Sequence, residues 1–476
     1  MAIVDEVRHT GPGTRQGSLG YLMGACLVAA LGGLLFGFDT AVINGAIERV
    51  KEQYALSDGL AGWVVASALV GCLIGAAIAG ALADRFGRKK VLLLAAVLFT
   101  ISAIGAALPQ GATAITQLVL ARIIGGMGIG IASMLSPMYI AEISPARLRG
   151  GLIATYQLAI TIGIVGVFFS NYGLFKASVH HPDMFAQQFW RWIFAEEVWR
   201  AMFLVGVIPA AILFLSVLLV PESPRWLTKQ GRVDEAMGVL TRVNGRSEAA
   251  RALAEIKETL ALETGTLGQL FQPGMRLALL IGIVLPFLSQ VSGINVIIYF
   301  GETVLTAAGY KEDAALKSQI IFGSVNVLST VVAILMVDKL GRKPLLLLGI
   351  AGVGAMLAIA GYLFRQETIP GTQLLYVFAF YLACFAISYG PVCWIIIAEI
   401  FPTSIRGRAM SIATFSLWSG CTLVAQTFLS LKSAVGPGWC FWLYAMTTPL
   451  AFAFVWYLVP ETKGKTLEQI EKHWGH

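Results

Sequence analysis

The stretch "GALADRFGRKK" (Gly80–Lys90) has an echo in "MVDKLGRKP" (Met336–Pro344), with Asp84 and Asp338 standing 254 residues apart. Each copy carries D-x-x-G-R-K, and each follows a long apolar run. Two further pairs flank it. "AEISPARLRG" (141–150) is answered by "AEIFPTSIRG" (398–407) at an offset of 257, and "PESPRWL" (221–227) by "PETKGKTLE" (460–468) at 239. A near-constant offset over such distinct motifs marks an internal duplication. The third offset is shorter because the loop near 173–198 is longer than its partner near 432–436.

The repeated unit is membranous. The chain has 476 residues, 57% hydrophobic and only 13% charged, against about 25% charged in soluble domains. Runs long enough to cross a bilayer, about 20 residues each, recur twelve times. They are expected near 20–47, 60–83, 89–109, 113–141, 149–172, 199–220, 275–308, 317–338, 343–364, 371–400, 405–431 and 437–459. The first is no signal peptide, being too long, uncleavable by pattern and interrupted by Asp39. With both termini inside, cytoplasmic segments hold 24 of the 34 Lys and Arg residues and outer segments nine, with Arg122 alone inside a span. That asymmetry predicts N-in, C-in topology.

The expected fold is therefore all-α: two pseudo-symmetric six-helix bundles at 19–220 and 271–460. An intracellular helical linker at 221–270 joins them, and a cytoplasmic tail follows at 461–476. Parallel repeats of six spans are a transporter architecture with the substrate site between the halves. The linker reads as short amphipathic helices or as a solvated connection. The balance of +7 comes without any basic tract, so nucleic acid is excluded as a partner. No nucleophile–base set, phosphate loop or metal-ligand spacing points to an enzyme, a metal or a cofactor. The six cysteines, without a CxxC pair, read as reduced core residues.

Two buried charges stand out. Asp39 in "GGLLFGFDTAVINGA" lies roughly 12 Å below the outer end of span 1, and Arg122 roughly 13 Å below that of span 4. Intramembrane charges usually pair or line a cavity. A structural ion pair is one reading. The other is a proton site. Desolvation favours the neutral acid and an opposed guanidinium the carboxylate, so moving Arg122 relative to Asp39 would switch proton affinity between the two faces.

Amides are rare in a membrane core, and they donate and accept at once, as the hydroxyls of a polar ligand require. Gln157 lies in span 5, Gln290 and Asn295 in span 7, and Asn326 in span 8. Aromatic platforms are available in Phe36, Tyr299, Trp394 and Trp418. Helix–helix hydrogen bonding and core packing are the bland alternatives. Gly293 and the Gly390-Pro391 pair are places for helices to break and gate.

The motifs "RFGRK", "PESPRWL", "PETKG" and "QVSGIN" together resemble the sugar porters of the major facilitator superfamily over Gly32 to Glu468. "ASMLSPMYIAE" (132–142) and "GPVCW" (390–394) are most similar to bacterial xylose–proton symporters. The resemblance implies a monosaccharide–proton symporter in the cell membrane. Its implied partners are sugar, proton and membrane lipid, and it is implied to work as a monomer. Asp39 and Arg122 are the implied coupling pair, since facilitative relatives carry asparagine there. It also implies that the eight polar and aromatic residues above touch sugar. At the cytoplasmic ends, Asp84, Arg88, Glu142, Arg149 and Glu222 of the first half and Asp338, Arg342, Glu399, Arg406 and Glu461 of the second are implied to lock the outward-facing state by ion pairs. Topological positive charge alone is the other reading of those groups. This chain departs from the xylose symporters at Gly206, where they place a glutamate, and at Ser289, Leu417 and Ile164, where they place glutamines. A facilitated uniporter, with Asp39–Arg122 purely structural, and a non-transporting sugar sensor are the rivals.

Overall fold

The computed structural model describes residues 17–145, 147–183, 187–262, 267–272, 275–402 and 405–463; the side chains of Asp338 and Arg406, and the tail beyond Lys463, lie outside the described residues. Twelve helical stretches are long and apolar enough to cross a membrane. Spans 1–6 are Leu19–Gly45, Asp58–Phe86, Arg88–Ala107, Gly111–Ile143, Arg149–His180 and Val198–Leu219. Spans 7–12 are Arg276–Ala307, Glu312–Val337, Arg342–Leu363, Gly371–Ile400, Gly407–Val435 and Pro437–Leu458. The chain is an integral multi-pass membrane protein. Large apolar side chains such as Leu219, Leu328, Leu335 and Leu348 stand fully out from the bundle, which only lipid tolerates on this scale.

The duplication is visible in the packing. Within the first half, span 1 packs on 4 and 5, span 2 on 4, span 3 on 4 and 6. In the second half, span 7 packs on 10 and 11, span 8 on 10, span 9 on 10 and 12. Each contact repeats with every span number raised by six. The halves meet where span 2 packs on 11 and span 5 on 8, and these two seams exchange under the same operation.

Small residues set the closeness of the seams. A Cβ at Gly126 of span 4 would be driven into the Ala68 carbonyl of span 2, and one at Gly71 into the Ile123 carbonyl. Spans 2 and 4 therefore touch backbone to backbone, the arrangement that compensates for the absent hydrophobic drive between helices in lipid. The joints are equally repeated. Gly87 (φ 94°, ψ 160°) links spans 2 and 3 in one residue, and Gly341 (φ 93°, ψ 160°) links Glu312–Leu340 to span 9.

Between the halves lie helices Pro224–Lys229, Val233–Asn244 and Arg246–Leu262. Trp226, Leu227, Ala236, Leu240, Ala249 and Leu253 form their own small core. Helical structure begins at Pro224, within the expected linker, because Ser223 caps it by accepting from the Trp226 N–H at 3.2 Å.

Three spans are interrupted among the described residues: span 6 at Val205–Gly206, and spans 7 and 10. Span 7 stops at Val291 and resumes at Ile294, with Gly293 in the left-handed region at φ 88°, where any side chain is strained. The Ser292 carbonyl freed by the break accepts the Tyr381 hydroxyl of span 10 at 3.0 Å. Span 10 breaks at Ser388 (φ −113°, ψ −85°), not at Gly390-Pro391, which belong to the first turn of Tyr389–Ile400. Proline lacks an N–H and collides with the carbonyl four residues earlier. Helical geometry must therefore be abandoned upstream of Pro391, and Ser388 takes the distortion.

Candidate functional site

Span 1 carries Asp39 and span 4 carries Arg122 at matched depth, and the bundle brings them together. The Arg122 Nη1 lies 3.5 Å from the Asp39 Oδ2 and donates to the Asp39 backbone carbonyl at 3.0 Å. Arg122 is 1% exposed and Asp39 9%. The Asp39 Oδ2 is buried and has no hydrogen-bond partner among the described residues. The guanidinium also lies over the Phe203 ring, 5.7 Å from its centroid. The charge contact is long, the backbone contact is good, and the carboxylate oxygen that faces the guanidinium has no hydrogen bond among the described residues. Gly206 stands nearby on span 6. A Cβ there would meet the Phe203 carbonyl oxygen at 3.0 Å and the Phe38 and Ala103 side chains at 3.5 Å.

Arg122 is not alone as a buried guanidinium. Arg200, at the start of span 6, is also 1% exposed. It donates to the carbonyls of Ala107 (3.0 Å) and Pro109 (2.8 Å) and to Glu197 (2.7 Å). It lies 4.1 Å from the Trp192 ring centroid and 4.3 Å from that of Trp199. The Trp192-x₇-Arg200 spacing gave no signal of this, because the rings reach the guanidinium across an irregular turn.

The break in span 7 turns its amides onto one another. Asn295 Nδ2 donates to Gln290 Oε1 at 2.8 Å, and Gln290 Nε2 donates to Ser289 Oγ at 2.9 Å. Cys421 of span 11 completes the cluster: its thiol donates to Gln290 Oε1 at 3.1 Å, and Asn295 Nδ2 approaches the sulfur at 3.2 Å. Sequence reasoning passed over Cys421 because cysteine is commonly a small apolar filler; its place three residues after Trp418 was the available signal. Phe36 and Trp418, from opposite halves, stand with ring centroids 5.4 Å apart. The Trp418 Nε1 is buried without a partner among the described residues, an indole N–H free for a ligand.

Tyr299 and Asn326 are buried, while Gln157 and Trp394 are half-buried. No hydrogen bond joins these four to the Gln290 cluster among the described residues. Of the three positions that lack glutamines, Ser289 enters the cluster, whereas Leu417 and Ile164 are buried and apolar.

At the linker end each half has an ion cluster. Arg88 grips Glu142 with two donors, at 2.8 and 2.9 Å, and reaches Asp84 at 3.3 Å. Asp84 also receives Lys229 at 2.9 Å. In the second half Arg342 meets Glu399 at 3.1 Å. Glu222 accepts the Arg88 N–H at 2.9 Å, and Glu461 accepts the Arg342 N–H at 3.1 Å, so each acid caps the helix after its glycine joint. Burial lifts the Glu222 carboxyl, and the N–H groups of Ser223, Lys89 and Arg88 pull it only part of the way back. Burial also lifts Glu461, but the N–H groups of Lys463, Arg342 and Lys343 outweigh it and hold this acid below its ordinary range. Arg149 is oriented to the Ser144 carbonyl at 3.5 Å rather than to a carboxylate among the described residues. Asp338 and Arg406 have side chains outside that set.

At the opposite end the halves clasp. Asn44 donates to the Ile298 carbonyl at 2.8 Å and to Gln319 at 3.2 Å, and accepts the Glu302 N–H at 3.2 Å. Arg49 pairs with Glu302 and Glu312, Lys176 with Asp313, and Gln426 donates to the Gly59 carbonyl at 3.1 Å.

A family model described as "Sugar (and other) transporter" matches residues 25–474. An arabinose–proton symporter of Bacillus subtilis is 41% identical over 464 residues, 97% of each chain. A D-xylose–proton symporter of Escherichia coli is 40% identical over 95% of this chain and 96% of that one. A solved structure of a xylose transporter from E. coli, in a partially occluded inward-open conformation, has a TM-score of 0.81 at 39% identity, covering 94% of this chain and all of that one.

Proposed function

This chain belongs to the sugar transporter family, and from that premise we propose that it is a monosaccharide–proton symporter, importing a pentose or hexose by alternating access. It is not an enzyme. The observation that carries the proton half of the reading is the Asp39–Arg122 pair, buried between spans 1 and 4 with a carboxylate oxygen left unpartnered. That oxygen is where a proton binds. Arg122 holds the Asp39 carbonyl whether or not the acid is charged, so protonation relaxes the electrostatic tie without undocking the helices.

The sugar sits between the halves. Gln290, Asn295, Gln157 and Asn326 read its hydroxyls, and Phe36, Tyr299, Trp394 and Trp418 cover its ring. Gln290 and Asn295 satisfy each other and Cys421, and sugar hydroxyls replace those bonds. The breaks at Gly293 and ahead of Gly390-Pro391 let spans 7 and 10 close over the ligand. The halves are bundles 19–220 and 271–460, with the linker 221–270 and tail 461–476 on the cytoplasmic side of the cell membrane, following the positive-charge bias. The linker-end clusters around Arg88 and Arg342 then hold the inner ends of neighbouring helices. The chain works as a monomer in lipid.

Uptake of labelled pentoses and hexoses into proteoliposomes, with and without an imposed proton gradient, tests this. Accumulation above equilibrium only with the gradient supports symport. Equilibration at the same level in both conditions identifies a uniporter and removes the proton role of Asp39.

A further inference from the structure

Glu302 was not singled out by its sequence context, "YFGETV", yet it is the more deeply buried of the acids at the far end of span 7, at 2% exposure. Backbone geometry puts it there. Phe300 departs from helical angles at φ −124°, ψ 19°, re-aiming the segment that follows. Gly301 then passes so close to span 8 that a Cβ would strike the Gln319 amide. The Glu302 N–H is held by Asn44 of the first half at 3.2 Å. Its carboxylate has one charged partner within ion-pair distance, Arg49 at 3.5 Å, also from the first half, and its Oε2 has no hydrogen-bond partner among the described residues.

Arg49 is the hub. It belongs to Ile47–Gln53, the short helix that continues span 1 beyond its 3₁₀ turn. Its guanidinium donates to the Gly45 carbonyl of the 3₁₀ turn, reaches Glu312 on span 8 and Glu302 on span 7, and lies 5.1 Å from the Phe175 ring of span 5. Glu48, beside it in sequence, bonds to Thr303. Four elements from both halves thus converge on one cation, and two of the acids that face it belong to the other half.

We propose that Arg49, tied across the seam to Glu302 and Glu312, is the latch that keeps the outer mouth shut. This rests on the alternating-access reading above and extends it to residues that touch neither proton pair nor sugar. A buried acid with one unpartnered oxygen is a burden if it does not grip a cation. Gripping Arg49 across the seam turns that burden into an interaction that disappears when the mouth opens, because Glu302 and Arg49 travel with different halves. Arg49 and Glu302 are positioning residues, acting through the seam.

Hydrogen–deuterium exchange of the sugar-free protein in nanodiscs tests the latch without requiring transport. In Glu302→Gln, amide exchange in 42–53 and 294–307 is expected to rise on the order of tenfold, while 221–262 at the linker end is unchanged. Arg49→Gln should reproduce the rise, and Arg49→Lys, which keeps the charge, should restore most of the protection. Wild-type exchange in Glu302→Gln, or slower exchange there, overturns the proposal, since the carboxylate would then be idle or only a burden. Equal rises at both ends mean general loosening and overturn it as well. Failure of the symport reading shows instead in the wild type, as absence of gradient-driven uptake.

Discussion

An Asp39→Asn carrier should equilibrate sugar but never concentrate it. At 3.5 Å, and with an effective dielectric of about 20, the Asp39–Arg122 attraction is about 5 kcal/mol, most of it offset by the desolvation of both groups. The amide keeps the volume of the acid and removes the charge. The Arg122–carbonyl bond at 3.0 Å is untouched, so span 1 stays docked on span 4. The coupling consequence is larger than the structural one. One inward proton releases about 2.3 kcal/mol per 100 mV, enough for roughly a 40-fold sugar gradient at about 1.4 kcal/mol per decade. The variant has no site for that proton, and its gradient should be about onefold. The assay is uptake of labelled sugar into proteoliposomes at an imposed inside-negative potential, beside counterflow in the absence of any gradient. Accumulation in Asp39→Asn comparable to the wild type refutes the assignment. So does loss of counterflow together with accumulation in a folded variant, which would make the pair a structural tie.

Cys421→Val removes the thiol donor to Gln290 at nearly constant volume; because sugar hydroxyls displace that bond, sugar binding should tighten about two- to tenfold, the worth of one buried hydrogen bond. Cys421→Ser should stay within about twofold, and calorimetric titration distinguishes the two. Gly126→Ala pushes a methyl group into the Ala68 carbonyl and should cost about 1–3 kcal/mol, seen as a lower thermal midpoint in detergent. Glu461 is held below its ordinary range, so the stability it contributes is present above its unfolded value, near 4.5, and is lost as pH falls through the folded one. Glu461→Gln should therefore lower the midpoint at pH 7, with the difference from wild type closing as pH falls below 4.5.

Depth was legible in the sequence and azimuth was not. Counting residues from span ends put Asp39 and Arg122 at one level, and they meet. The repeated motifs announced a packing that repeats span by span. The same counting could not show which face Cys421 presents, since one residue in a helix hydrophobic all round carries no directional pattern. Glu302 escaped because its acidic character sits near a span end, where charge is ordinary; only the kink at Phe300 turns it inward. Arg200 was hidden for the same reason. The break in span 10 was read from Pro391, the residue that causes it, whereas the distortion falls on Ser388, which bears the consequence. For the eight residues assigned to sugar, the structure brings some into contact and leaves others on separate spans, and titration of each variant is what assigns their roles.

The contact between Phe36 and Trp418 joins the two halves through a fluorophore. Trp418 has an indole N–H without a partner among the described residues and, one helical turn along, the Cys421 thiol, a group able to quench excited indole. Any rocking of one half against the other changes the distance to Phe36, and any ligand that draws Gln290 away from Cys421 changes the quencher. Emission from this one tryptophan, isolated from the ten others by substitution, should shift in intensity and wavelength with the state of the carrier. The seam between the bundles thus contains a native optical gauge of which way the protein faces.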